Sequence, residues 1–394
     1  MTAIATQRAA YARQVTECGL CGSGNLEMVL SLGTSPPPCV MHPVGARPRA
    51  ETSYPLELLR CADCTLVQLS VVIDPEVVFA PEFPYQSGNS QQLHRNFQEL
   101  ADSFGLLAED DLVVDIGAND GTLLSKFDGC RTLGVEPTDQ ANHIKGAYIQ
   151  AFFDEEIADR IVAEYGQAKV ITACNVMAHV QDLWSVMRGI RKLLAPDGVF
   201  VAENHDVAAV LNGQWDMVYH EHLRFYSPHS FGLLLSQHGL GCTDWKRTST
   251  HGGSFRMFAG HGQREPAPDI HQDWAALRGL AARQRRLIRR VLAAHGPVAG
   301  IGAPARATTF INYCGLDVQD IKCVYEVPGS DKIGRYIPGT GIPVQPETQL
   351  LNSDKGVAVL LSWHLDDIII PKLRGRGYKA PVLVPLPSLH YSIT

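Results

Sequence analysis

The 394-residue sequence predicts an α/β protein. A doubly wound, Rossmann-like unit is preceded by a small cysteine-bearing unit and followed by a second α/β unit. Three observations carry this reading. Between residues 111 and 265, short β-branched runs (LVVDIG, RTLGVEP, AKVITACNV, GVFVAEN) alternate with amphipathic stretches, the pattern of a parallel sheet with crossover helices. Two Cys-x-x-Cys pairs stand before that region. After it, VAGIGAPARATTFINYCGL reads again as strand, glycine turn and helix. At about 100–200 residues per domain the length suits two or three units. We place them at 1–75, 76–265 and 266–394.

Composition narrows the function classes. Hydrophobic residues make up 45% and charged residues 19%, enough apolar material for packed cores and far from a disordered chain. A net charge of -7 argues against a duplex nucleic-acid binder, which carries a basic surplus. No apolar run approaches the roughly 18 residues that span a bilayer. The N-terminal stretch MTAIATQRAAYARQVTE has no apolar secretory core. A cytoplasmic enzyme with a small-molecule substrate is expected, as a monomer or small homo-oligomer, with no nucleic-acid or membrane partner.

In the first unit, Cys18-x-x-Cys21 and Cys61-x-x-Cys64 stand apart from six scattered cysteines. Without an export signal, disulfides are disfavoured. Each pair presents two thiolates, and together they suit one tetrahedral zinc ion. Four thiolate ligands leave no open position, so the zinc is structural. The Gly- and Pro-rich region Gly33 to Pro48 is expected to loop between the pairs. An aromatic loop, Phe83-Pro-Tyr-Gln-Ser-Gly-Asn-Ser, then leads into a helix through Leu106.

The segment Leu112–Leu124, LVVDIGANDGTLL, is the most informative. LVVDI is a buried strand; Gly117 and Gly121 allow a tight turn and close backbone approach to a ligand. The pattern is D-x-G-x-x-x-G, not the G-x-G-x-x-G that offers bare amides to a pyrophosphate. The acid Asp115 suits a cationic or amine-bearing ligand, such as the methionine part of S-adenosylmethionine (SAM). Glu136, ending the next strand in GVEP, suits the ribose hydroxyls of an adenosine. In ITACNVMAHV, Asn175 and His179 fall after the fourth strand, at the carboxyl ends where open sheets bind ligands.

Trp215–Ser227 contains Tyr219-His220-Glu221-His222. If extended, Tyr219 and Glu221 face one way and His220 and His222 the other; a loop breaks that rule. Acid/base use fits, since His titrates near neutrality and a neighbouring Glu or Tyr orients it. A metal reading of His220 and His222 lacks a third ligand. Residues 272–295 predict a long helix whose arginines form a solvated face.

In order, CxxC…CxxC, VVDIGANDGTLL, GVEPT, NVMAHV, YHEHLRFYS and GIGAPARATTFINYCG resemble the SAM-dependent sugar C-methyltransferases of antibiotic deoxysugar pathways, in particular those methylating C-3 of a dTDP-linked 4-keto-6-deoxysugar. The resemblance covers nearly the whole chain. It implies an N-terminal zinc domain, a SAM-binding Rossmann-like domain, and a C-terminal α/β domain that helps enclose the sugar nucleotide. It implies SAM contacts at Asp115, Gly117, Asn119, Gly121, Glu136 and Asn175, with Tyr85 and Gly88. It also implies that Tyr219, Glu221, His222 and His179 surround the sugar. Substrate contacts at Asn204, His205 and Arg306 are expected where this chain departs from the family: Glu203-Asn204-His205-Asp206 replaces a Glu-x-Pro-Tyr-like run, and Arg306 stands where Lys is usual. Trp363-His364 replaces a Trp-Asn-like pair.

Such chemistry requires a base at the carbon beside a ketone, a donor for the enolate oxygen, and alignment with the methyl donor. His222 is the expected base, steadied by Glu221, with Tyr219 or His179 as donor; Tyr219 and His222 are interchangeable in these roles, and His205 is a third candidate base. Three rivals remain at the sequence level: O- or N-methylation, an NAD-dependent oxidoreductase, and a zinc-bearing scaffold.

Overall fold

The computed structural model describes residues 12–46, 50–78, 86–353 and 356–393. Three sheets organise the molecule, with a two-stranded ribbon at the N-terminal side. The cysteine-bearing unit forms an antiparallel sheet from Leu26–Ser35, Tyr54–Cys61 and Val67–Leu69. The stretch between the CxxC pairs is thus a hairpin arm as well as a loop. The sheet recruits a fourth strand, Arg224–Phe225, from far along the chain. Only Leu223 separates these two residues from His222, so the cysteine-bearing unit braces the Tyr-His-Glu-His segment.

The central sheet has seven strands. Leu112–Ile116 is an interior strand, fully buried because helices pack on both faces. Arg131–Val135 and Ala147–Ile149 follow on one side, and Ala168–Cys174 and Leu194–His205 on the other, all parallel. Leu240–Thr248 and Ser254–His261 close that edge as an antiparallel pair. The strand order reverses at Leu112–Ile116, so the carboxyl ends of that strand and of Ala168–Cys174 flank a crevice. The helix ahead of the sheet runs over Gln91–Asp102, shorter than its sequence pattern, because Ser103 caps it and Gly105 turns at φ 64°.

The third sheet is a second doubly wound unit. Val344–Pro346, Ile321–Glu326, Val298–Ile301, Ala358–Leu360 and Val382–Val384 are parallel, and His390–Ser392 is antiparallel at the edge. The helix Trp274–His295 buries Trp274, Leu277, Ala281, Ile288 and Leu292 at helical spacing. Its arginines are partly engaged: Arg278 donates to the Val29 carbonyl, Arg289 to Cys314, and Arg285 lies over the Tyr313 ring. One apolar core joins the first and third sheets through residues such as Leu58, Trp215, Phe225, Phe310 and Val359. Among the described residues, no helix is long and apolar enough to cross a membrane.

Candidate active site

The turn after Leu112–Ile116 is shaped by positions that tolerate no bulk. Gly117 has φ 70°, and a Cβ there would sit 2.4 Å from Val176 Cγ2. Gly121 (φ 76°) would meet Ile144 Cα at 3.2 Å, and Asn119 is itself left-handed at φ 51°. Asp115 is 3% exposed and accepts a 2.7 Å hydrogen bond from Thr172 Oγ1. Burial, reinforced by Glu136, pushes its carboxyl up to about 7. Among the described residues no cation lies beside this buried acid, which therefore matches a ligand that brings a positive charge.

Glu136 accepts from Asn119 N–H and from both Thr138 N–H and Oγ1–H, at 2.6–2.9 Å. Its carboxylate is therefore oriented by the turn itself. Above the turn, Ser87 N–H donates to Asn119 Oδ1 and Gly88 N–H to Asp120 Oδ2, each at 2.8 Å. That places the 86–90 segment over the mouth. Tyr85 lies outside the described residues. Asn175, with φ 60°, keeps a buried Oδ1 without a hydrogen-bond partner. The buried uncompensated acid, the glycine cradle and this orphaned oxygen fit SAM.

The Tyr219–His222 segment is a turn, not a strand, closed by His222 N–H on the Tyr219 carbonyl at 3.0 Å. The expected alternation is therefore replaced. Tyr219 and His222 come together with ring centroids 4.0 Å apart, and Tyr219 Oη lies 2.8 Å from His222 Nε2. His222 Nδ1 faces the Met217 carbonyl at 3.2 Å, so it carries the ring proton. Nε2 is then bare and accepts from the tyrosine hydroxyl. Burial, more than its histidine and arginine neighbours, holds His222 well below the usual histidine range, neutral near pH 7.

Two expectations change here. Glu221 does not touch the His222 ring; its Oε1 accepts from Cys39 N–H at 3.1 Å, and burial pushes its carboxyl up to about 7. His179 Nδ1 donates to the Glu221 backbone carbonyl at 2.6 Å, and burial pulls that ring down to about 4. The His179 ring still packs 5.0 Å from His222. His220 turns away altogether, against Tyr54 and the Pro55 carbonyl.

The sequence singled out His205, Asn175, Asn204 and Arg306, but not His251 or Asp216, which complete the cluster. His205 stacks 4.5 Å from His222 and 5.1 Å from His251, whose backbone is left-handed at φ 54°. Asn175 Nδ2 donates to His251 Nε2 at 3.3 Å. Arg306 does not offer its charge to the site as expected. It grips Asp216 with two hydrogen bonds of 2.9 and 2.7 Å, donates to the His251 carbonyl, and stacks on Trp363, whose Nε1–H also reaches Asp216. Only the three-dimensional meeting of residues 214–222, 250–253, 306 and 363–364 reveals this. Beneath it, Glu203 is matched by Arg256, Asn96 and Thr250. Asn204 is 1% exposed, with both amide atoms unpartnered.

The four cysteines converge. Cys18 and Cys64 sulfurs lie 3.4 Å apart, Cys21 and Cys61 3.6 Å, and all four sit within 4.8 Å of one another. A tetrahedron of sulfurs at about 2.3 Å from zinc has edges of roughly 3.8 Å, so this cage fits the ion. Among the described residues it is the one His, Cys, Asp and Glu group close enough to share a metal.

Three family models match in sequence: a zinc binding domain over residues 18–79, a methyltransferase domain over 85–244, and a C-methyltransferase C-terminal domain over 271–387. C-methyltransferase NovU of Streptomyces niveus is 31% identical over 391 residues, covering 91% of this chain and 92% of that protein. Among solved structures, YcgJ of Bacillus subtilis aligns over 43% of this chain and 100% of its own, at 14% identity and TM-score 0.33. The CcbJ methyltransferase of Streptomyces caelestis aligns over 42% and 90%, at 14% identity and TM-score 0.31. The cysteine cage, the cradle for a cationic donor and the end-to-end match to a C-methyltransferase agree: this chain belongs to the zinc-bearing, SAM-dependent C-methyltransferase family that includes NovU.

Proposed function

We propose that the protein methylates the carbon beside the ketone of a nucleotide-linked, dTDP-type 4-keto-6-deoxysugar, at C-3, in natural-product biosynthesis. The observation that carries this is the Tyr219–His222 pair. A buried neutral imidazole with a bare Nε2, capped by a phenol, is a base for a carbon acid at neutral pH.

Asp115, Gly117, Asn119, Gly121, Glu136, Asn175 and Gly88 hold the cofactor in this reading. SAM supplies an electrophilic methyl on a cationic sulfur. His222 takes the α-proton, directly or through Tyr219, and the Met217 carbonyl steadies the imidazolium that forms. Once Tyr219 has released Nε2, its hydroxyl is in reach of the enolate oxygen. His179 fixes the segment through the Glu221 carbonyl, and Glu221 ties it to the 36–44 loop through Cys39. Asn204 and His205 border the sugar; Arg306 positions rather than binds. The glycine turn Gly302–Pro304 opens the third unit, beside a small cavity lined by Cys39, Met41, Ala305, Thr308 and Lys332. We assign residues 266–394 to the domain that encloses the nucleotide.

The test is deuterium washout from the α-carbon of dTDP-4-keto sugars without SAM, followed by NMR location of the new methyl with it. His222→Ala abolishes washout while SAM still binds. Normal washout in that variant removes His222 from the base role, and a methyl on oxygen or nitrogen removes the reaction.

A further inference from the structure

Three imidazoles from three separate stretches line up beyond His222. His205 ends the strand Leu194–His205, His251 lies in the 250–252 turn, and His364 follows Trp363 in the C-terminal unit. The rings of His205 and His251 are 5.1 Å apart. His364 reaches the same turn, with its Cβ 3.4 Å from where a side chain on Gly252 would begin. Two of these rings, His205 and His364, carry a buried Nδ1 with no hydrogen-bond partner. His205 is 8% exposed. Buried polar atoms without partners are uncommon in folded chains, and two flanking the 250–252 turn of a reaction site point to a ligand that supplies the missing bonds.

The chemistry of that ligand group follows from what surrounds it. Burial, joined by the neighbouring histidines and Arg306, holds His205 and His364 well below the usual histidine range; burial likewise lowers His251. The rings are neutral near pH 7. Arg306, which donates to the His251 carbonyl, is matched by both oxygens of Asp216. A phosphate or carboxylate finds no unmatched positive charge here. Among the described residues the carboxylates around these rings are committed elsewhere: Asp216 is paired with Arg306, Glu203 with Arg256, and Glu221, its Oε2 unpartnered, turns its Oε1 to Cys39. Neutral imidazole nitrogens, which donate or accept according to tautomer, complement a group that is at once donor and acceptor, and a hydroxyl is that group.

We propose that His205, His251 and His364 form a hydroxyl-recognising subsite, so that the enzyme selects a keto-sugar retaining the hydroxyl beside the methylated carbon over its deoxy counterpart. This rests on the keto-sugar reading above and deepens it. With the hydroxyl at C-2, it fills the unpartnered ring nitrogens. A 2-deoxy sugar leaves them buried and unsatisfied, and a site built to bond a hydroxyl discriminates strongly against the analogue lacking it.

The experiment compares dTDP-4-keto-6-deoxyglucose with dTDP-4-keto-2,6-dideoxyglucose in the SAM-loaded enzyme. The ratio of their kcat/KM values should be on the order of 10². It should fall to within about threefold in His205→Phe and in His364→Phe, and stay high in His205→Gln, which keeps a donor and an acceptor. Because both sugars are measured on one preparation, the folded fraction cancels. A wild-type ratio near one, or Phe variants that keep the wild-type ratio, overturns the subsite. If neither sugar turns over, the same ratio read as binding to the complex with S-adenosylhomocysteine decides. A retained preference keeps the subsite and removes the reaction reading; equal or absent binding overturns the subsite.

Discussion

At Asp115, burial rather than sequence position sets the chemistry. The carboxyl is pushed up to about 7 by desolvation, with Glu136 adding to it. Between the unfolded value near 4 and this raised value, the folded chain binds the extra proton, so the ligand-free protein loses stability as pH rises through that window. A cationic ligand reverses the balance, because only the ionised acid pairs with it. SAM affinity measured by calorimetry should therefore fall as pH drops from 8 to 6. Asp115→Asn should weaken binding at pH 8 by about tenfold or more and flatten the profile. An unchanged profile in that variant would place the cation elsewhere. Residue identity was legible where backbone demands are local: Gly117, Gly121 and the four cysteines follow from turn and ligand chemistry alone. Side-chain direction was not. Glu221 and Arg306 have the residue types expected at a substrate, yet each meets a protein partner, Cys39 and Asp216, that no spacing rule brings near.

Among the elements, the strand–turn–helix repeats were legible because their periodicity is local, and the central sheet follows from them. The Arg224–Phe225 strand was not. Two residues carry no period, and their partner Val67–Leu69 lies some 150 residues earlier in the chain. That pairing joins the zinc cage to the reaction site, since Leu69 N–H bonds the Leu223 carbonyl at 3.0 Å. Metal binding at such a cage is coupled to local folding. Stripping zinc with a chelator should raise amide hydrogen exchange at Leu69 and Phe225 by about tenfold or more, with loss of methyl transfer. The Leu112–Ile116 strand should keep its protection, because its neighbours belong to another sheet. Uniform loss of protection across both sheets would show instead that zinc holds the whole molecule, and no loss would show that the cage is idle.

At the scale of the whole molecule, the reaction site exists only where the three units meet, and the Asp216–Arg306–Trp363 group is the joint. Asp216 sits three residues before Tyr219, and Arg306 also holds the His251 carbonyl. The pair therefore fixes the positions of two walls of the histidine cluster from the third unit. Both side chains are at most 6% exposed. Removing one partner of such a pair leaves a buried uncompensated charge and costs about 3–5 kcal/mol, whereas replacing both with apolar groups is far milder. Arg306→Leu and Asp216→Leu should each lower the urea midpoint, read by the fluorescence of Trp215 and Trp363 at the joint. The double variant should recover about 2 kcal/mol or more of the summed loss. Methyl transfer should not recover with it, because the apolar pair no longer anchors the His251 carbonyl or the Trp363 indole. Recovery of stability without recovery of turnover separates a joint that positions the chemistry from one that only holds the units together; parallel recovery of both assigns the pair to stability alone.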